Sequence, residues 1–99
     1  MAGPRLLVRY SSRGQELWRF KAPGSTSALF WDGSRAWLAW SERETGKAYL
    51  VALDDSGREL LRLEFTAEGE PAFIARVWSD GRELRVLCSR TLYVYKLEE

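Results

Sequence analysis

Two stretches, YSSRGQELWRF (Tyr10–Phe20) and LDDSGRELLRLEF (Leu53–Phe65), decide how this chain is read, because they are two copies of one pattern. Gly14 and Gly57 stand 43 residues apart. At that spacing Leu6, Val8 and Tyr10 fall on Tyr49, Val51 and Leu53, and Gln15-Glu16-Leu17-Trp18 falls on Arg58-Glu59-Leu60-Leu61. A second landmark, Trp31-Asp32-Gly33-Ser34, returns as Trp78-Ser79-Asp80-Gly81, with 48 residues between Asp32 and Asp80. A few residues are therefore inserted between the two landmarks of the second copy. Leu92–Leu97 repeats Tyr49–Leu53 once more, 44 residues on. The chain reads as a single domain, 1–99, of two units (about 5–46 and 47–90) followed by an extra strand at 91–97.

Within each unit the apolar residues alternate with others, as in Leu6/Val8/Tyr10, Tyr49/Val51/Leu53 and Leu84/Val86/Cys88. A period of two places alternate side chains on opposite faces and is the signature of a strand. Turn residues punctuate the pattern: Ser12-Arg13-Gly14, Asp32-Gly33, Asp55-Ser56-Gly57 and Asp80-Gly81. Asp-Gly between apolar runs is a hairpin signal, because type I′ turns hold both central residues at positive φ. Longer loops are expected at 21–27 and 66–71. The result is an all-β fold, an antiparallel meander of about nine strands at 5–11, 15–20, 28–32, 36–41, 47–53, 58–65, 72–78, 83–88 and 91–97. A closed barrel or a sandwich is the alternative arrangement. No twelve-residue segment keeps a 3.6 period, and Pro71 breaks the acidic stretch that precedes it.

Four strands in roughly 43 residues is the length of a propeller blade. Gly14-Gln15-Glu16-Leu17-Trp18-Arg19-Phe20 resembles the G-x-x-L-W-x-F segment of the quinoprotein-like (PQQ-like) β-propeller repeat. Ala52-Leu53-Asp54-Asp55-Ser56-Gly57 resembles the strand and turn that precede it. The resemblance implies blade-like packing, with Trp18 docking one blade on the next. It departs from the family at Leu61, which stands where the tryptophan would be, and at Ser11, which stands where the turn aspartate would be. No residue set matches a quinone site, so no cofactor is expected. Propellers have at least four blades. Two units therefore imply a homo-oligomer, for instance a cyclic one, or a partner protein that completes the fold, with closure within one chain as the alternative.

Composition narrows the chemistry. The chain has 15 basic and 14 acidic residues, a net charge of +1, and 45% hydrophobic residues. That balance supplies no field to attract nucleic acid or a membrane surface. No apolar run reaches the length of a signal peptide or a membrane helix, so a soluble, cytoplasmic protein is expected. There is no histidine and one cysteine, Cys88, which removes the commonest general base and any thiolate cluster. Asp32, Asp54, Asp55 and Asp80 all fall in hairpin turns, where aspartate bonds its own backbone. A metal site is not expected, and neither is enzymatic activity.

The excess is aromatic: five tryptophans, four tyrosines and four phenylalanines. Trp31, Trp37 and Trp40 cluster about one hairpin, with Asp32 and Arg35 between them. Trp37 and Trp40 differ by an odd number and point to opposite faces of a regular strand. At least one is therefore expected to face away from the core. These five residues are the candidate binding or interface set. A non-enzymatic interaction or assembly module is the leading expectation. A carbohydrate-binding module that stacks sugar on an exposed tryptophan is the second, and a single-stranded nucleic-acid binder the third. The arginines of the strands are expected to pair across strands with Glu16, Glu59 and Glu64.

Overall fold

A computed structural model of the chain describes residues 6–97 and contains nine strands with no helix among them. They are β1 (Leu6–Tyr10), β2 (Glu16–Lys21), β3 (Ser25–Trp31), β4 (Ala36–Glu42), β5 (Lys47–Leu53), β6 (Glu59–Phe65), β7 (Ile74–Ser79), β8 (Glu83–Cys88) and β9 (Thr91–Lys96). Two starts differ from expectation by more than one residue. β3 begins at Ser25 because Ser25 and Thr26 pair with Ser41 and Trp40, extending the strand in polar residues ahead of its apolar run. β7 begins only at Ile74, beyond Ala72 and Phe73.

The strands form three sheets: β1-β2, β3-β4-β5-β6 and β7-β8-β9. Every pairing is antiparallel and joins strands adjacent in sequence. Among the described residues the sheets stay separate and do not close into a barrel. They fill a slab of 46 × 34 × 17 Å. Its thinnest dimension matches one six-residue strand, which spans roughly 17 Å from first Cα to last.

The sequence repeat is a repeat of geometry down to its irregularities. A bulge falls between Arg9 and Tyr10 in β1 and between Ala52 and Leu53 in β5, 43 residues on. Another falls between Thr26 and Ala28 in β3 and between Ile74 and Arg76 in β7, 48 residues on. β1, β5 and β9 thus hold one position of the unit, β2 and β6 the next, β3 and β7 the first, and β4 and β8 the second. The second sheet carries all four positions. The first sheet carries only the last two, and the third sheet only the first three.

The turns repeat as well. Asp32 Oδ1 accepts hydrogen bonds from the backbone N–H groups of Ser34 and Arg35, and Asp80 Oδ1 from those of Arg82 and Glu83. Asp54 Oδ1 does the same for Ser56 and Arg58. At the equivalent place Ser11 Oγ accepts from Arg13 and Gln15 at 3.2 Å each, so the serine fills the aspartate's part. The Asp-Gly turns are not type I′. Only the glycines, Gly33 (φ 101°) and Gly81 (φ 94°), take positive φ there, and each aspartate caps the turn instead. Among the described residues the one non-glycine at positive φ is Ser89 (φ 53°), in the two-residue turn between β8 and β9.

The core has two layers, one on each face of the second sheet. Leu38, Trp40, Val51 and Leu53 meet Leu7, Trp18 and Phe20 of the first sheet. Trp37, Ala39, Leu50 and Phe65 meet Ile74, Val77, Leu84, Val86 and Cys88 of the third, with Tyr93 and Tyr95 edge-on to Phe65. Each large apolar side chain buried this way contributes about 1.5–3 kcal/mol by transfer from water. Trp18 ties the first sheet to the second. Its Nε1 donates to the carbonyl of Asp55 at 3.0 Å, and its ring lies on Gly57 in the β5–β6 turn. Arg9 Nη1 donates to the same carbonyl at 2.9 Å.

Candidate functional site

The Asp32 turn organises the residues singled out in the sequence. Asp32 closes the β3–β4 hairpin, and its two carboxylate oxygens are fully engaged. Oδ1 caps the turn, while Oδ2 accepts from Arg35 Nε at 3.1 Å and from Trp37 Nε1 at 3.0 Å. Burial pushes the Asp32 carboxyl up, but the Trp37 indole N–H, the Ser34 and Arg35 amides and the Arg35 charge outweigh it and hold the group at about 2. The Arg35 guanidinium also lies 5.4 Å from the centre of the Trp37 ring. This is a closed structural network within the hairpin, and it leaves the Asp32 side chain only 6% exposed.

Trp37 and Trp40 do point to opposite faces of β4, yet both are fully buried. The expectation that one of them faces away from the core fails because the second sheet is covered on both sides. Trp40 stacks on Tyr49 at 5.7 Å and lies beneath the Arg62 guanidinium at 5.0 Å. Neither tryptophan is available to a sugar or a base. Trp31 differs, being 43% exposed, with the Arg9 guanidinium 4.7 Å from its ring centre. Arginine–glutamate pairing also departs from expectation. Arg19 pairs with Glu16 and Arg62 with Glu59, each along its own strand and not across strands.

The unsatisfied surface lies elsewhere, on residues the tryptophan cluster drew attention away from. Among the described residues β1 pairs only with β2, and β9 only with β8, so each presents an open edge. Beside the β1 edge runs a groove of about 370 Å³ lined by Leu6, Leu7, Thr26, Ser27, Leu29 and Leu38. Leu29, 56% exposed, lines this groove, and Trp31 on the same strand lies under the Arg9 guanidinium of the first sheet. On the outer side of the third sheet Leu92 and Val94 are 51% and 48% exposed. Leu6 and Tyr10 are exposed on the outer side of the first. Most of their repeat counterparts are covered: Leu53, equivalent to Tyr10, and Ala48 and Leu50, equivalent to Leu92 and Val94, are fully buried, while Tyr49, equivalent to Leu6, is half-buried. The signal was present in the sequence as apolar residues kept at repeat positions such as Leu7, Leu50 and Val94, and Tyr10, Leu53 and Leu97.

Chemistry is sparse. Among the described residues no three acidic or cysteine side chains converge as a metal site would require. Burial pushes the Cys88 thiol up, away from the thiolate, against a smaller opposing effect of the Ser89 side chain. A second groove, of about 380 Å³, is lined by Glu68, Glu70, Ser89 and Arg90 among others. No helix of the described residues is long and apolar enough to cross a membrane.

No family model matches the chain, and no curated protein does. Its fold is similar to that of a solved structure, a protein of unknown function from Bacteroides caccae, with a TM-score of 0.64 and 17% identity over 95% of this chain. The match takes in 40% of that protein, so this chain spans less than half of its length. The likeness is one of fold.

Proposed function

We propose that this chain is a non-enzymatic assembly module of propeller-type repeats, related to the quinoprotein-like blade, which completes itself by associating with another protein surface. One observation carries the reading. Apolar residues persist at repeat positions that are buried in the second sheet and uncovered in the first and third. A solvent-facing sheet would carry polar residues at those positions. Contiguous apolar surface with open strand edges is an aggregation liability unless a partner covers it. The closed network around Asp32 supports the same reading, since both oxygens of that carboxylate are already taken by its own hairpin.

The test is the mass of the full chain in solution, measured by light scattering and sedimentation over a dilution series. A discrete oligomer, or a stoichiometric complex with a co-purifying protein, is the expected result. A stable monomer at all concentrations, with no loss to aggregation, would overturn it.

A further inference from the structure

We infer that the groove between the β6–β7 loop and the β8–β9 turn binds a small zwitterion, an α-amino acid or a dipeptide, with its ammonium on Glu68 and Glu70 and its carboxylate on Arg90. The site is separate from the apolar faces that carry the assembly reading. Its first ground is where the two units stop matching in length. Their offset is 43 residues at the β1 and β5 bulges, 48 at the β3 and β7 bulges, and 44 between Leu53 and Leu97. Residues are thus gained and then lost. The gain lies in the β6–β7 connection, which has eight residues (66–73) where β2–β3 has three (22–24). The loss lies at the β8–β9 turn, which has two residues (89–90) where β4–β5 has four (43–46), β8 also stopping earlier than β4. These two departures meet in one place, as the two walls of the groove of about 380 Å³. Blade packing requires neither change, since the first unit forms its sheet without them. Length changes in repeat proteins gather in the loops of one face, which is often the binding face.

The walls are pinned. Ala67 and Glu70 bridge, folding the added residues back over Gly69 (φ 75°). The Ala72 N–H donates to the Gly46 carbonyl at 2.8 Å and ties the loop to the β4–β5 turn. Phe73 and Ser89 join the two walls twice: the Ser89 N–H donates to the Phe73 carbonyl at 2.7 Å, and the Phe73 N–H donates to Ser89 Oγ at 3.2 Å. Those bonds hold Ser89 at its left-handed φ, a strained setting that persists only where the surroundings enforce it. Charge then selects the ligand. Among the described residues seven other carboxylates pair with an arginine or lysine. Glu68, Glu70 and Arg90 line one groove and do not pair, so both signs of charge are held apart there. A simple anion would meet the two carboxylates and a simple cation the guanidinium. A molecule with an ammonium at one end and a carboxylate at the other answers both, through charge-assisted hydrogen bonds. The volume lies at the small end of the roughly 300–1,000 Å³ of ligand sites, which suits a ligand of this size.

The experiment titrates the full, isotope-labelled chain with each free α-amino acid and with the dipeptide Ala-Ala, and follows the backbone amides by NMR. At least one probe is expected to move the resonances of 68–70 and 89–91 and to saturate them with a Kd of about 1 mM or tighter. A stronger response to Ala-Ala than to any amino acid assigns the site to peptides, and the reverse assigns it to free amino acids. Acetylating the amine of the responding probe, or amidating its carboxylate, should weaken it about tenfold each, the loss of one charge-assisted contact. Two variants at exposed positions locate the ends of the ligand. In Glu70→Gln acetylation should matter much less, and in Arg90→Gln amidation should matter much less. Arg13→Gln, in the β1–β2 turn, should bind as the wild type does. The inference is overturned if no probe moves these amides, if the shifts fall elsewhere on the chain, or if blocking either charged group leaves the affinity unchanged. The mass of the chain in solution has no part in this readout, so the site and the assembly reading stand or fall separately.

Discussion

Gly57 lies so close beneath the indole of Trp18 that a Cβ on it would stand 2.7 Å from Trp18 Cγ. The glycine also adopts φ 87°. Its repeat counterpart, Gly14, has nearly the same conformation (φ 83°) and open space around it. The two positions separate backbone strain from packing. Gly14→Ala is expected to cost about 1–2 kcal/mol, the cost of a left-handed L-residue. Gly57→Ala should cost at least about 1 kcal/mol more, because the indole must be displaced. Chemical denaturation of the two variants makes the comparison, and equal losses would contradict the docking role of Trp18.

The indole nitrogens of Trp37 and Trp40 offer a second contrast. Trp37 Nε1 donates to Asp32, whereas Trp40 Nε1 is buried and makes no hydrogen bond among the described residues. Replacing either by phenylalanine removes a similar volume. Only Trp37→Phe also removes a hydrogen bond to a buried carboxylate, leaving Asp32 Oδ2 with Arg35 alone. That variant should lose about 1–3 kcal/mol more than Trp40→Phe.

Acid should weaken the fold through Asp32. Its carboxyl, at about 2 in the folded chain, is depressed below the value near 3.9 of an unfolded aspartate. The stability it lends is present above pH 4 and is lost as pH falls from there towards 2. Its size is roughly 2 kcal/mol. Asp54 and Asp80 are lowered too, by the Arg58 amide first for one and the Glu83 amide first for the other, so the wild-type profile is a composite. The difference between wild type and Asp32→Asn isolates one contribution. The gap should be largest at neutral pH and shrink towards pH 2. A gap that stays constant with pH would exclude the assignment.

Ser11 stands in for an aspartate and can be tested as one. Ser11→Ala should cost about 1 kcal/mol through the loss of the bonds to Arg13 and Gln15. Ser11→Asp should leave thermal stability equal or higher, because the aspartate at the equivalent turn, Asp54, makes the same pair of bonds.

The strands and their antiparallel meander were legible in the sequence, because period-two alternation and punctuating turns are local properties of the chain. The environment of each face was not. Trp37 and Trp40 were placed on opposite faces correctly, but whether a face meets water depends on how many sheets stack, which alternation does not encode. Ser11 hid its capping part because a hydroxyl and a carboxylate accept the same backbone bonds while looking unlike in sequence. The same-strand pairs of Arg19 with Glu16 and Arg62 with Glu59 were missed because the rule of alternating faces neglects how far a long arginine reaches along a twisted strand. The open edges of β1 and β9 were visible only as a count of strands that did not come out even.

Each of the six pairings links strands that are neighbours along the chain, and this has a consequence for how the protein acquires its structure. No strand waits for a distant partner, so loop-closure entropy is small at every pairing and folding should be fast for an all-β protein. Hairpins can zip independently, leaving the meeting of the sheets as the late event. Stopped-flow measurements should then find that substitutions within β4 and β5 slow refolding, while substitution of Trp18 mainly hastens unfolding.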